Sequence, residues 1–382
     1  MARTLEPRTF EEAASNLAAT AADGHTVRIV GGATKLGWGM PTPEPAAELH
    51  TSGLDRIVEH NSGDLTAVLE AGVPLARAQE TFAKADQMLA LDPPLGAPGS
   101  EPAATIGGVV ATADSGPLRH RYGAPRDLVV GMTVALSDGT IARSGGKVIK
   151  NVAGYDLGKL FAGSFGTLGV ILEVTVRLHP APPRTATALG ASGDPEVLAA
   201  AARTLAAAPL ELEALDVSWR AGRGEILAQT GGAEAERRAK RIAQTMAEAR
   251  LREVEVSAED AALWARQRAG QRSRTAATVR IGTRPSALAA VIRATEACGG
   301  ALVGRAALGL THVELDPEAV RRLRDQLGPG AACMVLDVPA EHREKVDPWG
   351  QQEQPGLDLM RQIKARFDPV RACNPGLFVG GI

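Results

Sequence analysis

Two groups of side chains in this sequence have chemical reach. His312 and Glu314 stand two apart in an apolar stretch, 308–315, that reads as a strand. Residues at i and i+2 of a strand project from one face, so the two could meet a metal ion together. No third ligand accompanies them, and a lone strand histidine usually serves packing, so no metal site is expected. Arg266, Arg268, Arg272, Arg274, Arg280 and Arg284 form the second group. Guanidinium groups suit bidentate contact with a carboxylate, from a substrate or an acidic partner. The plainer reading is a solvated helix end and loop.

A different chemistry belongs to the backbone. Gly31-Gly32-Ala33-Thr34-Lys35-Leu36-Gly37-Trp38-Gly39 holds four glycines in nine residues, and such a turn can converge its amides on a pyrophosphate. Lys35 could touch a phosphate or stand solvated at the turn. The central stretch 95–139 sets glycines 96, 99, 107, 108, 116 and 123 among small residues, so the backbone there can lie almost bare against a bulky ligand. Glycines 145, 146, 154, 158, 163, 166 and 169 repeat the pattern and close on an apolar strand from Val170 to Leu178. One extended phosphorylated cofactor fits all three loops. The first loop is neither GxGxxG on a βαβ unit nor GxxxxGK[ST], because prolines 41, 43 and 45 bar a helix behind it. A nicotinamide-type Rossmann site is disfavoured.

The elements that must position these loops are legible in outline. Thr9-Phe10-Glu11-Glu12 has capping-box spacing in front of a helix to about Ala22, stopped by Asp23-Gly24. A strand, Val27 to Val30, feeds the first loop. Strands Asp55 to Glu59 and Thr66 to Ala71 flank a turn at Asn61–Asp64, a helix follows from Leu75 to about Ala85, and a short strand, Leu89 to Leu91, ends at Asp92-Pro93-Pro94. The Pro180–Pro195 stretch, PAPPRTATALGASGDP, reads as a linker. Beyond it the pattern gives helices 195–208, 233–249, 259–269, 285–297 and 317–327 among strands 212–218, 224–229, 252–256, 277–282, 300–304, 308–315 and 332–338. Adjacent strand pairs favour an antiparallel α+β sheet with helices on one face.

At 382 residues the chain is long enough for two main domains. A net charge of −2 and 3% aromatic residues give no footprint for nucleic acid. The first residues lack an apolar signal core, and no run approaches the roughly 18 apolar residues of a membrane span. No direct membrane insertion is expected, only association through partners. Cys298, Cys333 and Cys373 are odd in number and far apart, which suits a reducing, cytoplasmic setting and supports neither a disulfide framework nor an iron–sulfur or zinc site.

The order VRIVGGATKLGWG, GAPGSEPAATIGGVVATADSGPLRHRYGAPRDLVVG and GYDLGKLFAGSFGTLGVILEVTVRLHP resembles the FAD-binding domain of the vanillyl-alcohol-oxidase type, also called PCMH. Phe367-Asp368-Pro369 with Asn374-Pro375-Gly376 resembles the closing FDP…NPG of that superfamily. Within it, the short cap and Ala-rich linker look most like the FAD-binding subunits of bacterial glycolate oxidases. The resemblance implies an α+β chain: a two-subdomain PCMH-type FAD-binding domain at 1–182, a ferredoxin-like α+β cap at 183–345, and a segment, 346–382, returning to the FAD domain. It implies that Gly31, Gly32, Ala33, Thr34, Lys35 and Leu36 line the pyrophosphate. Pro98, Gly99, Ser100, Thr105, Ile106, Gly107 and Gly108 would line the pyrophosphate and the flavin edge, and Thr112, Ala113, Ser115 and Gly116 would continue along the ring. Gly169, Val170 and Ile171 would meet the adenosine half, and Asn374 would return toward the isoalloxazine.

Covalent members carry a histidine in the first loop, where this chain has Ala33-Thr34-Lys35-Leu36, so the FAD is expected to be noncovalent. The family's catalytic caps carry HxGDGNxH; the nearest counterpart here, Gly304 to Glu314, keeps only His312 and Glu314. Oxidation of a hydroxy acid needs a base for the hydroxyl and a cation for the carboxylate, and spacing alone places neither. The resemblance implies glycolate oxidation to glyoxylate, in a complex with a catalytic flavin subunit and an iron–sulfur subunit. The isolated chain is expected not to turn over glycolate. A noncatalytic FAD scaffold or electron relay, or a stand-alone oxidoreductase of another 2-hydroxy acid, are the alternatives.

Overall fold

The structure, a computed structural model, describes residues 2–95, 103–146, 156–350 and 356–382. They form two compact units, one of Met1–Ser115, Tyr122–Ala181 and Glu353–Ile382, the other of Gly116–Arg121 and Pro182–Gln352.

The first unit opens with β1 (Arg3–Leu5), α1 (Phe10–Ala22), β2 (Val27–Val30) and β3 (Ala47–His50). The strands form a parallel sheet in the order β1-β3-β2. Half of the expected capping box is present. Thr9 Oγ1 accepts the Glu12 amide at 3.1 Å, whereas Glu12 Oε2 accepts the amide of Arg8, one residue early. The hydroxyl cap contributes about 1 kcal/mol. The antiparallel sheet that follows is built from β4 (Ile57–Asn61), β5 (Thr66–Glu70), β7 (Val129–Ala135), β8 (Ile141–Gly145) and β9 (Val170–Arg177), in the order β4-β5-β9-β7-β8. Central β9 (VILEVTVR) opens on three apolar residues and then alternates with Glu173, Thr175 and Arg177. Val170 and Leu172 enter the core shared with Leu17 and Leu49, while Ile171, Val174 and Val176 enter the one shared with Phe82 and Phe161. The first three residues of β9 feed both cores, which is why they read as a continuous apolar run.

Between these strands lie α2 (Leu75–Ala83), β6 (Gln87–Met88), α3 (Ile106–Thr112), α4 (Arg119–Tyr122), α5 (Pro125–Leu128) and α6 (Leu157–Phe161), and β10 (His179–Pro180) pairs with β6. The short strand therefore falls at 87–88, two residues before Leu89–Leu91. Part of the glycine-rich stretch read as loop is helix α3.

In the second unit the Pro180–Pro195 segment is not a linker: it holds β11 (Thr185–Ser192), paired with neighbours on both sides. β11 is followed by α7 (Pro195–Ala207), β12 (Leu212–Arg220), β13 (Arg223–Gly231), α8 (Ala235–Glu248) and β14 (Arg252–Ser257). After α9 (Ala261–Ala269) come β15 (Ala277–Gly282), α10 (Leu288–Ala297), β16 (Ala301–Arg305), β17 (Leu310–Leu315), α11 (Val320–Leu327) and β18 (Ala332–Asp337). One eight-stranded sheet runs β14-β11-β13-β12-β16-β17-β15-β18. It is two βαββαβ modules of ferredoxin-like order, the second running in reverse order along the sheet, joined where β12 pairs antiparallel with β16. The core beneath α7, α8, α10 and α11 is one continuous cluster from Ala188 to Val335. On the opposite face α9 covers the first module. Trp264 packs on Leu189, Ala214 and Leu227 and donates to Thr187 Oγ1 at 2.8 Å. α12 (Leu357–Phe367) belongs to the first unit and sets Phe367 against Phe161 at 5.7 Å.

Candidate functional site: a backbone cradle and a buried cationic row

In the first unit the glycine-rich segments meet. A methyl group on Gly31 would lie 2.5 Å from Thr105 Oγ1, and one on Gly32 would strike the Ala103 carbonyl. The first loop thus touches the entry to α3 backbone to backbone. Gly107 is glycine for a different reason: its Cβ would sit 2.7 Å from that of Ala71, so the constraint is helix against strand. Gly108 faces only Thr105 Oγ1, at 3.3 Å. Thr105 caps α3 by accepting the Gly108 amide, and Thr112 Oγ1 donates to the Gly108 carbonyl at 2.8 Å. The third segment joins through Gly163 and Phe165, whose amides donate to Val110 and Ala111.

Asn374 ties the pieces together. Its Oδ1 accepts the Ile29 amide at 3.1 Å, and its Nδ2 donates to the Phe165 carbonyl at 2.7 Å. The side chain is thereby occupied with backbone. Ala33 (φ 53°), Ala113 (51°), Phe165 (57°) and Asn374 (41°) are all left-handed without being glycine. Such strain persists only where surrounding structure imposes it, and it gathers at ligand sites.

Lys35 neither floats in solvent nor stands free. Its Nζ lies 3.3 Å from Asp114 Oδ2 and 5.7 Å from the centroid of Trp38. Leu36 is exposed, Ser115 is buried, and Gly116 groups with the second unit. Gly169 abuts the Ala135 carbonyl, and Val170 and Ile171 are buried in β9, their side chains in the two cores. Pro98, Gly99 and Ser100 lie outside the described residues.

The second unit carries a feature that spacing could not reveal. Strand register aligns Asp216, Arg305, Val303, His312, Arg280 and Met334 across β12, β16, β17, β15 and β18. Arg305 Nε lies 2.9 Å from Asp216 Oδ1, both side chains fully buried. The two Nη atoms of Arg305 and Nδ1 of His312 are buried without a hydrogen-bond partner among the described residues. Gln267, wholly buried on α9, leaves both amide atoms unpaired in the same way. Burial drives the His312 pKa well below the usual imidazole value, helped by Arg305, Arg280, Arg119 and Arg272. The imidazole is neutral. Of the arginines singled out by spacing, Arg266 pairs with Glu225 at 2.7 Å and Arg272 grips Asp337 bidentately at 2.6 and 2.8 Å, so only Arg280 joins the row. Glu314 is committed to Arg220 and Ser273. Among the described residues no three His, Cys, Asp or Glu side chains gather around a point.

Residues 1–145 match the FAD binding domain family. The cradle fits the cofactor: its first loop meets the α3 entry backbone on backbone at Gly32 and Ala103, and Lys35 is matched by Asp114. Over 99% of its length the chain is 28% identical to an uncharacterised FAD-linked oxidoreductase of Mycobacterium tuberculosis, covering 91% of that protein. Glycolate oxidase subunit GlcE of Escherichia coli is 40% identical over 33% of this chain and 35% of its own. Subunit GlcD of Bacillus subtilis is 37% identical over 56% of this chain and 45% of its own. Among solved structures, an alkyldihydroxyacetonephosphate synthase superposes with a TM-score of 0.71 at 13% identity, over 97% of this chain and 76% of that one. That likeness concerns the fold, which is the PCMH-type α+β arrangement with a cap. FAD is the cofactor, and the chain stands among FAD-linked oxidoreductases. No helix among the described residues is long and apolar enough to cross a membrane.

Proposed function

We propose that this chain binds FAD noncovalently through its cradle and takes part in oxidising a 2-hydroxy acid, glycolate to glyoxylate, passing electrons to a catalytic flavin subunit and an iron–sulfur subunit. The partner assignment draws on the likeness to GlcD and GlcE, each a named subunit of glycolate oxidase. The observation that carries the reaction class is the pair of buried side chains His312 and Arg305, aligned by strand register with half-buried Arg280. A neutral imidazole with an unpartnered nitrogen can take the proton of an α-hydroxyl. The buried Nη atoms of Arg305 can hold the neighbouring carboxylate. Bound FAD supplies the two-electron acceptor for the hydrogen on the α-carbon. Gly31, Gly32, Ala33, Thr34 and the α3 entry from Thr105 to Gly108 would hold it.

A second reading has its own support. Complete burial of Arg305 against Asp216 also suits a structural pair in a subunit whose flavin only relays electrons. Anaerobic mixing of the purified chain with glycolate, and in parallel with D-lactate, separates the two. Direct oxidation predicts bleaching of the flavin, slowed at least about a hundredfold by His312→Asn at unchanged FAD content. Flavin that stays oxidised with both acids, yet bleaches once the partner subunits are added, would establish the relay.

A further inference from the structure

We propose that Lys35 is a positioning residue: its ion pair with Asp114 is the strut that fixes the first glycine loop to the end of α3, and Lys35 acts on the cofactor through that strut and not as a phosphate ligand. The inference rests on assigning the cradle to FAD.

The geometry is specific at both ends. Lys35 comes two residues after left-handed Ala33, and its side chain turns inward to 6% exposure, its ammonium near the ring of buried Trp38. On the other side α3 stops at left-handed Ala113, where the amides of Ala113 and Asp114 donate back to Val110 and Val109. This helix-ending turn delivers the Asp114 carboxylate beneath the loop. There Oδ1 accepts the Ser115 amide at 3.0 Å and Oδ2 faces Lys35 at 3.3 Å, with the Asp114 side chain 5% exposed. Each charge is buried beside one counter-charge. Removing either leaves the other uncompensated in a low-dielectric setting, and the loop that carries it must open to solvent.

The two roles for Lys35 differ in sign. If Lys35 bound a phosphate, Asp114 would compete with that phosphate, and Asp114→Asn would free the ammonium and tighten FAD. As a strut, the pair holds the glycine amides in place. Asp114→Asn and Lys35→Met should then each weaken FAD binding about tenfold or more, and the double variant should lose little beyond either single.

The measurement is titration of FAD into apoprotein, followed by quenching of flavin fluorescence, with circular dichroism as a check of folding. Asp114→Asn is isosteric, so it carries the test alone should the lysine variant not fold. FAD bound by Asp114→Asn as tightly as by the parent, or more tightly, overturns the strut. Additive losses in the double variant overturn it too. A folded parent that takes up no FAD overturns the cofactor assignment of the cradle instead.

Discussion

Lys364→Met should destabilise the first unit by roughly 3–5 kcal/mol, the cost of leaving a buried charge without its partner. Lys364 Nζ donates to Asp368 Oδ2 at 2.6 Å, to the Thr167 carbonyl at 2.6 Å and to the Cys373 carbonyl at 2.9 Å, all buried. Methionine keeps the stem and removes all three bonds. Asp368 would retain the amides of Ala372 and Cys373, at 3.0 and 2.8 Å, which hold an anion poorly without a nearby cation. At about 2–4 °C per kcal/mol for a unit of this size, the melting temperature should fall by about 6–20 °C. Urea unfolding followed by tryptophan fluorescence and circular dichroism measures the loss. Adding Asp368→Asn to Lys364→Met removes the stranded charge and should recover about 1–3 kcal/mol. A single variant within about 1 kcal/mol of the parent, or a double variant no better than the single, would refute the reasoning.

Two further outcomes are expected. Gly32→Ala should cost at least about tenfold in FAD affinity, because its methyl group meets the Ala103 carbonyl, whereas Gly37→Ala in the same loop, with open space at its Cβ, should cost little; equal losses in flavin titration would count against the backbone contact. His312 is held neutral in the fold, its pKa depressed from 6.5, so the unfolded chain binds the extra proton. Stability is therefore intact above the unfolded value and is lost as pH falls below it. Between pH 6.5 and 5.5 the parent should lose up to about 1 kcal/mol more than His312→Asn in urea melts, and parallel pH profiles would show that the histidine does not titrate on unfolding.

What was legible in the sequence was local. Thr9 and Glu12 marked the first helix, and the apolar stretch from Val170 marked the strand that became β9. β11 was hidden because TATALGAS is made of small residues, which read as a linker until α8 is seen packed against them. α3 was hidden by Gly107 and Gly108, poor helix formers kept where Gly107 meets Ala71. The row from Asp216 to Met334 depends on the register of five strands, which no spacing within one strand encodes. A trace of it was present: Arg280, Arg305 and His312 stand at inward positions of otherwise apolar strands, where charge is costly unless it has work to do. Lys35 was visible as a residue, but its partner Asp114 lies far along the chain.

The bonding of Ile29 to Asn374 spans 345 residues, and this orders events on the ribosome. β2 emerges early but cannot complete its hydrogen bonding to the Cys373–Asn374 segment until the intervening chain has been translated, roughly 20–70 s later at about 5–20 residues per second. The cap, whose strand pairings among the described residues join only β11 to β18, can mature during that wait. Nascent FAD domain is thus a client for chaperones while the module nested inside it is already closed, and a stalled or prematurely stopped transcript would yield a folded cap on a cofactor domain that cannot finish.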